Sequence, residues 1–469
     1  MPLADDLGSS EPLSGFGQSE YVSGSPTQPT SVAEVFEVFK AAHAAGRKIV
    51  LRGAGRSYGD AAIAAGAIVL DCTRLNRLLD WDPTTGLVEC EGGATVEDLW
   101  RTGLPNGWWP PVVSGTMYPT LAGTLAMNIH GKNAFKVGTL GEHVTEIDVA
   151  TPRGDLLTLT PEDERFYAVI SGFGMLGAIV RVKLQMKKVE TGEVKILAVS
   201  PKTWQEQIDT FERFETDADY MVSWVDCFGR GAHSGRGAFH AAWYVHTDDP
   251  KPASLRLDQQ DLPSKILGIV PKSAMWRFLK PLNNRTGMHL INWAKDVSGR
   301  TLGNHKTSRQ SLVAFSFLLD YVPDWRNAYL PGGFIQYQSF VPREHAARVF
   351  AKQVELQQAA KLESFLAVMK LHHSDKFLIT HGVEGYSLAL DFKVTQANRE
   401  ALWNLCHRMN DVVLDAGGRF YFAKDSTLRP ADARRYLGEA TLEKLRHYKA
   451  DMDPEGILTS KLAERLELF

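Results

Sequence analysis

Between Ser31 and Ala45 the apolar residues fall at Val32, Val35, Phe36, Val38 and Phe39, a one-sided stripe closed by Gly46. That spacing predicts a helix over 31–45. Residues 1–30, rich in Ser, Gly, Pro and Thr, show no period and read as an irregular lead-in. From about 48 to 190 the texture becomes short β-branched runs separated by glycines: Lys48–Leu51, Ile68–Leu70, the alternating Leu87–Glu91, and Gly177–Leu184. Leu87–Glu91 runs into a helix start at Thr95, with Glu97 and Asp98 in its first turn. Ile147–Ala150 and Leu156–Leu159 flank Pro152-Arg153-Gly154-Asp155, a hairpin signal. Aromatics and longer helical patterns follow, over 343–361 and 396–416, between strands Phe334–Phe340 and Ser387–Val394. The pattern predicts an α+β chain with one domain over 1–195 and a second over 196–415. Residues 416–469 read as glycine and basic loops around Gly417-Gly418-Arg419-Phe420-Tyr421.

A length of 469 residues exceeds what one core usually serves. Apolar residues at 44% and charged residues at 23% are the balance of an ordinary globular protein, and a net charge of -3 gives no global attraction to nucleic acid. Cys72, Cys90, Cys227 and Cys406 stand far apart without a C-x-x-C pair, so neither a structural metal site nor a disulfide framework is expected. The start Met1-Pro2-Leu3-Ala4-Asp5-Asp6 lacks the basic and apolar regions of a signal peptide, and no run reaches the length of a membrane span. The expected location is the cytoplasm, with peripheral membrane contact and the periplasmic face both open. One segment bears on that. Residues 262–295 carry Lys265, Lys272, Arg277, Lys280, Arg285 and Lys295 with no acidic residue, interleaved with Ile266, Leu267, Ile269, Val270, Trp276, Phe278 and Leu279. Such a pattern suits an anionic membrane surface, and equally a mobile loop packed on its own domain.

Three glycine-shaped segments carry candidate chemistry. The first, Arg52-Gly53-Ala54-Gly55-Arg56-Ser57-Tyr58-Gly59-Asp60, follows a strand. Its glycines let main-chain N–H groups approach an anion such as a pyrophosphate. The spacing is G-x-G-x-x-x-G rather than the dinucleotide fingerprint, and no helix follows at once, so a nicotinamide-binding domain is disfavoured. The second runs from Pro110 through Ser114-Gly115-Thr116 and Thr120-Leu121-Ala122-Gly123 to Met127-Asn128-Ile129-His130-Gly131-Lys132-Asn133. The third is Ile170-Ser171-Gly172-Phe173-Gly174-Met175-Leu176-Gly177. Alone, each is an ordinary turn between strands.

In this order the three segments resemble the FAD-binding domain of vanillyl-alcohol oxidase (p-cresol methylhydroxylase-type) flavoproteins. Within that superfamily the chain is similar to the polyprenylphosphoryl-ribose oxidases, on Gly55–Asp60, Asn128–Asn133, Gly333–Gln338, Ala423-Lys424-Asp425-Ser426 and Arg465-Leu466-Glu467-Leu468. The resemblance implies a two-domain fold: an FAD-binding domain over 1–195 completed by 416–469, and a substrate domain over 196–415 with an antiparallel sheet and flanking helices. It implies FAD contacts from Gly53, Ala54, Gly55, Arg56, Ser57, Tyr58, Gly59, Asp60, Gly115, Thr120, Ala122, Gly123, Met127, Asn128, His130, Ile179 and Tyr421. Many members tether FAD through a histidine where this chain has Arg56. A guanidinium cannot form that bond, so non-covalent FAD is implied. Where family members carry Gly-Gly this chain has Ala122-Gly123, and a pocket cysteine, asparagine and tyrosine fall at Ala389, Ser387 and near Ser316.

The implied activity is oxidation of a sugar's secondary alcohol, the 2′-hydroxyl of a polyprenylphosphoryl-β-D-ribose, to a ketone. This would be the first half of an epimerisation that a separate NADH-dependent keto-reductase completes. Lys424, His130 and Tyr58 are the implied catalytic residues, and Gln336, Gln338, Lys370, Ser387 and Lys132 the substrate-facing ones. Lys424 either faces the flavin or pairs with Asp425, and the base is either His130 or Lys424. Gln336 and Gln338 share one face of an alternating strand, which either lines the pocket or meets water. His372 and His373 read as solvated. Two other functions fit the same motifs: a soluble aldonolactone or alditol oxidase, and a flavin-binding protein without catalysis.

Overall fold

The computed structural model describes residues 9–262, 265–266 and 270–469. Three sheets organise the chain. In the first, Tyr21–Thr27, Ile68–Asp71 and Ile49–Arg52 lie parallel in that order, with Glu11–Ser14 antiparallel on the outer edge. The lead-in is therefore not irregular beyond residue 9. Main-chain pairing with Ile68–Asp71 and Glu11–Ser14 places Tyr21–Thr27 in the sheet although Ser23, Gly24, Ser25 and Pro26 are weak strand formers, a case of tertiary context overriding propensity. Helix Val32–Ala44 connects two of these strands. Ser31 Oγ accepts from the Glu34 N–H at its start, and Val35, Val38, Phe39 and Ala42 form its buried face.

The second sheet is antiparallel, ordered Leu78–Asp82, Leu87–Glu91, Ala178–Gln185, Val144–Ala150, Leu156–Leu159. The hairpin expected around Pro152–Asp155 joins its last two strands. Thr95 caps helix Val96–Gly103 reciprocally with Asp98, as the first-turn acids foretold.

The third sheet has eight strands, in the order Thr307–Ser311, Glu193–Val199, Gly237–Tyr244, Tyr220–Val225, Leu366–His372, Gly385–Lys393, Phe334–Pro342, Arg419–Phe420. Every pairing in it is antiparallel. Side chains alternate between its faces. Met221, Phe239, Met369, Leu388 and Tyr337 are buried on the face that meets helices Trp204–Phe214, Arg343–Ala360 and Arg399–Asp415. The other face carries the intervening residues, and register sets them in rows. Ala238 stands opposite Trp224, Trp224 opposite Val368, Val368 opposite Ala389, and Ala389 opposite Gln338.

Two expectations are corrected here. Residues 416–469 are largely helical, in Pro430–Leu437, Glu439–Met452 and Lys461–Arg465. Helix 439–452 buries Leu442, Leu445, Tyr448, Lys449 and Met452, a stripe masked in the sequence by the charges between them. This stretch packs back against the parallel sheet, where Ile49 N–H donates to Ile457 O and Thr459 N–H to Ile49 O. The basic segment 262–295 is not a loop either: it contains helices Met275–Leu282 and Arg285–Ser298. Phe278, Leu290 and Trp293 are exposed on them, at 61%, 59% and 51%. Leu267 and Ile269 lie outside the described residues. Among the described residues no helix is long and apolar enough to cross a membrane.

Arg465 ties the last helix to the glycine loop. Its guanidinium donates to both carboxylate oxygens of Asp60 at 2.8 and 3.0 Å, to Asp425 at 2.7 Å and to Leu428 O at 2.6 Å. Removing it leaves two buried carboxylates unpaired. Arg465→Met is expected to cost about 3–5 kcal/mol, read as a lower unfolding midpoint in urea. A midpoint equal to the parent's would show that the pairs hold nothing together.

Candidate active site

Between the glycine-shaped loops and the open face of the large sheet lies a cavity of about 710 Å³. Its first wall is the turn after strand Ile49–Arg52. Gly53 lies so close to Thr120 that a Cβ there would stand 2.1 Å from the threonine Oγ1, and Gly55 adopts φ +63°. Both positions exclude side chains. The Arg52 guanidinium braces the turn by donating to Ala62 O and Ser14 O, each at 3.1 Å. Among the described residues the main-chain N–H groups of Gly53, Ala54, Gly55, Arg56 and Ser57 donate to nothing within the protein. A run of free main-chain donors in a glycine-shaped turn bordering a cavity suits an anion. Arg56 lies beside it between the rings of Phe16 and Tyr118, 5.3 and 5.1 Å from their centroids, with Nε unpartnered.

The second wall comes from Gly115 and the helix Leu121–Ala126, whose cap is Thr120. A Cβ on Gly123 would meet only Thr120 Oγ1 within 4 Å, so any side chain there would grow into the cavity. The third turn contributes Phe173, Gly174, Leu176, Gly177 and Ile179, with Ser171, Phe173 and Gly174 held at positive φ.

Opposite these loops stand Tyr58, His130, Gln336, Gln338, Lys370 and Lys424, all lining the same space. The Lys424 ammonium is 3.5 Å from the Tyr58 ring centroid. It does not pair with Asp425, which is taken by Arg465. Burial lowers the Lys424 pKa, and Asp391 opposes that shift while Lys370 adds to it. Burial raises Asp391 in turn, and Gln336 donates to its carboxylate. Lys370 is brought down to about 8 and Lys132 to about 7, both chiefly by burial. Burial, with the charges of Lys370 and neighbouring groups, holds His130 well below the usual imidazole range, so it is neutral at pH 7. Tyr58 is raised well above its usual value by burial and keeps its proton. Gln338 is buried, 3.2 Å from His130 Nε2 and 3.3 Å from Ser387 Oγ. The glutamine face therefore meets the cavity rather than bulk water.

Other expected contacts lie behind the wall. A Cβ on Gly59 would stand 1.9 Å from Asp425 O, and Asp60 is committed to Arg465. Asn128 Oδ1 accepts from Gly141 N–H at 3.0 Å. Ser387 supports Gln338 from beneath and hydrogen-bonds His372 Nε2 at 2.8 Å. His372 is thus buried, not solvated, because strand Leu366–His372 turns it inward against His130, with ring centroids 4.8 Å apart. Trp224, His240, Lys295 and Asp391 were not anticipated. The first two alternate into the cavity from strands Tyr220–Val225 and Gly237–Tyr244, a pattern visible in the sequence once the sheet is known.

Residues 27–160 match the family described as FAD binding domain. Over 438 residues the chain is 30% identical to decaprenylphosphoryl-β-D-ribose oxidase of Mycolicibacterium smegmatis, covering 92% of this chain and 92% of that protein. The chain belongs to this family of FAD-dependent oxidoreductases. Shorter likenesses reach L-gulono-1,4-lactone dehydrogenase of Mycobacterium tuberculosis, 31% identical over 40% of this chain and 44% of that one. The putative D-arabinono-1,4-lactone oxidase of Neurospora crassa is 27% identical over 48% of this chain and 38% of its own length. The free N–H groups of the glycine loop and the open space at Gly123 fit the cofactor of this family.

Filling that space should exclude the cofactor. Gly123→Val is expected to weaken FAD binding roughly tenfold or more, about 1.4 kcal/mol. Flavin absorbance retained after gel filtration measures it, and undiminished retention would remove Gly123 from the cofactor's path.

Proposed function

We propose that the chain oxidises a sugar hydroxyl, the 2′-hydroxyl of a polyprenylphosphoryl-β-D-ribose, using FAD held without a covalent bond. The observation that carries this reading is the convergence of Lys424, Tyr58, His130, Gln336, Gln338 and Lys370 on the cavity that the free N–H loop borders. The likeness to decaprenylphosphoryl-β-D-ribose oxidase along nearly the whole chain supports the substrate class. In this reading residues 1–195 with 416–469 hold FAD, and 196–415 hold the substrate.

Bound FAD supplies a two-electron acceptor for the hydride that leaves the carbinol carbon. The hydroxyl proton goes to Lys424, whose lowered pKa makes its neutral amine available near neutrality. His130, pressed far below its usual pKa, is a poor proton acceptor and serves as a neutral hydrogen-bond partner held by Gln338. Gln336, Gln338, Lys132 and Lys370 orient sugar and phosphate oxygens, and Ser387 acts through Gln338. The ketone then needs reduction from the opposite face, the task of a separate NADH-dependent reductase. Exposed Phe278, Leu290 and Trp293, with exposed Lys265, Arg277 and Lys280, suit peripheral contact with the anionic membrane that holds a polyprenyl lipid.

Anaerobic bleaching of the flavin by polyprenylphosphoryl-ribose, set against free alditols and aldonolactones, tests the reading. Preference for the free sugars would replace it with an aldonolactone oxidase, and no bleaching by any alcohol would leave a flavin carrier. Acid precipitation should release all flavin into the supernatant; flavin remaining on the pellet would contradict non-covalent binding. Lys424→Ala should abolish bleaching with FAD retained. The bleaching rate should climb as pH rises through the lowered Lys424 pKa, well below the ordinary lysine value of about 10.4. Because Asp391 holds that pKa up, Asp391→Asn should move the climb to lower pH. A climb that stays in place would take the proton away from Lys424.

A further inference from the structure

Deeper along the same sheet the cavity wall changes character. Strand Gly237–Tyr244 presents His240 opposite Val222, and Lys370 projects from the next strand but one on the same face. Neighbouring strands lie about 4.8 Å apart, so His240 and Lys370 are rooted roughly 10 Å from each other. Two further lysines close on them from outside the sheet. Lys132 arrives on the loop after His130, fixed where Met221 N–H donates to its carbonyl, with its ammonium 4.1 Å from the Phe315 ring centroid. Lys295 comes from helix Arg285–Ser298 at the solvent-open rim, its ammonium 4.3 Å from the Trp224 ring centroid.

Among the described residues none of these side chains enters an ion pair. Asp296, next to Lys295, is taken by Arg236 and Arg300 at 3.2 and 2.7 Å. Asp320, which also lines the cavity, accepts from Thr116 Oγ1 and Met117 N–H on the glycine-loop side. Burial, and then the charges of Lys132 and Lys295, hold His240 down to about 4, and burial, helped by Lys370, lowers Lys132. Unpaired lysines gathered beside a neutral imidazole in a partly desolvated pocket repel, and an anion between them turns repulsion into attraction while the imidazole donates a hydrogen bond.

We propose that Lys132, His240 and Lys295 form the subsite for the phosphate of the substrate, with Lys370 as the bridge to the sugar. The assignment rests on the reading that a polyprenylphosphoryl sugar is oxidised. Its geometry follows the chemistry of such a molecule. The phosphate is carried on the carbon next to the one oxidised, so the anion must sit within one side chain of the proton acceptor, and Lys370 acts electrostatically on both Lys132 and Lys424. The lipid tail has to leave toward solvent, and the rim residue Lys295 lies on the helix that exposes Leu290 and Trp293. Phosphate at Lys295 thus divides a polar interior from an apolar exterior.

Calorimetric titration of the FAD-loaded protein with farnesyl phosphate, which keeps the phosphate and a short tail but lacks the sugar, reads this subsite. Lys295→Met and His240→Gln should each weaken binding about tenfold. Lys295→Arg should restore affinity to within roughly threefold of the parent. Lys195→Met, on the exposed side of strand Glu193–Val199, should change nothing, and farnesol should bind all variants alike. Lys295 is at the rim, so its variants test the site without disturbing the core. Equal farnesyl phosphate affinity in Lys295→Met and the parent, or an equal loss with farnesol, would overturn the assignment. If polyprenylphosphoryl-ribose fails to bleach the flavin while farnesyl phosphate still needs Lys295 and His240, the subsite stands and the sugar assignment falls. Normal bleaching with unchanged farnesyl phosphate affinity in both variants would keep the sugar and remove the subsite.

Discussion

Two carboxylates, Asp60 and Asp425, sit nearly buried beneath the cavity, and one guanidinium bridges both. Burial raises Asp60 toward its protonated form, and Arg465 works against that shift. The cost of desolvating two like charges is tolerable only while Arg465 lies between them. Everything functional above depends on that arrangement. Asp60 ends the glycine loop, Asp425 follows Lys424, and Tyr58 N–H donates to Ala423 O at 2.8 Å. Loop and lysine are therefore held in one register, which is why the Lys424 ammonium rests on the Tyr58 ring. Gly59 belongs to the same joint, since only a residue without Cβ lets the loop lie against Asp425 O.

The cavity above this joint divides by charge. On the loop side, free main-chain donors and Arg56 provide positive potential without lysines. On the sheet side the potential comes from lysines whose charge is already weakened by burial, at Lys132 and Lys370 most plainly. A permanent cradle suits a cofactor that stays, and titratable groups suit a reactant that must be bound, deprotonated and released. His130 stands where the two meet, kept neutral by burial and the surrounding charges and braced through Gln338, Ser387 and His372.

Much of this was legible before the structure. Helix 32–44, the hairpin at 152–155, the Thr95 cap and the glutamine strand all followed from local periodicity and capping, which neighbours in sequence decide. The three glycine-shaped loops were legible as an ordered set, not as single turns. What escaped depends on distant partners. Tyr21–Thr27 is a strand because Glu11–Ser14 and Ile68–Asp71 lie beside it. The apolar stripe of helix 439–452 was hidden by its charges. Gly59 and Asp60 were expected to contact the ligand with the rest of their loop, and no local signal showed that Asp425 and Arg465 meet them from the far end of the chain. His372 was misread because two adjacent histidines look polar, whereas strand alternation turns one inward. His240 and Lys295 carry no local signature; they become a pair only when helix 285–298 is laid over the sheet.

The partnership of Arg465 with Asp60 spans 405 residues. During synthesis the glycine loop emerges long before the helix that fastens it, and chains are made at about 5–20 residues per second. For that interval the nascent N-terminal portion carries a buried-type aspartate without its counter-charge, and the parallel sheet lacks the strand-edge bonds from Ile457 and Thr459. Fastening of the first glycine loop is thereby a late event of biogenesis, and a chain truncated in its last helix would leave the ribosome with that loop present and its tie to Arg465 missing.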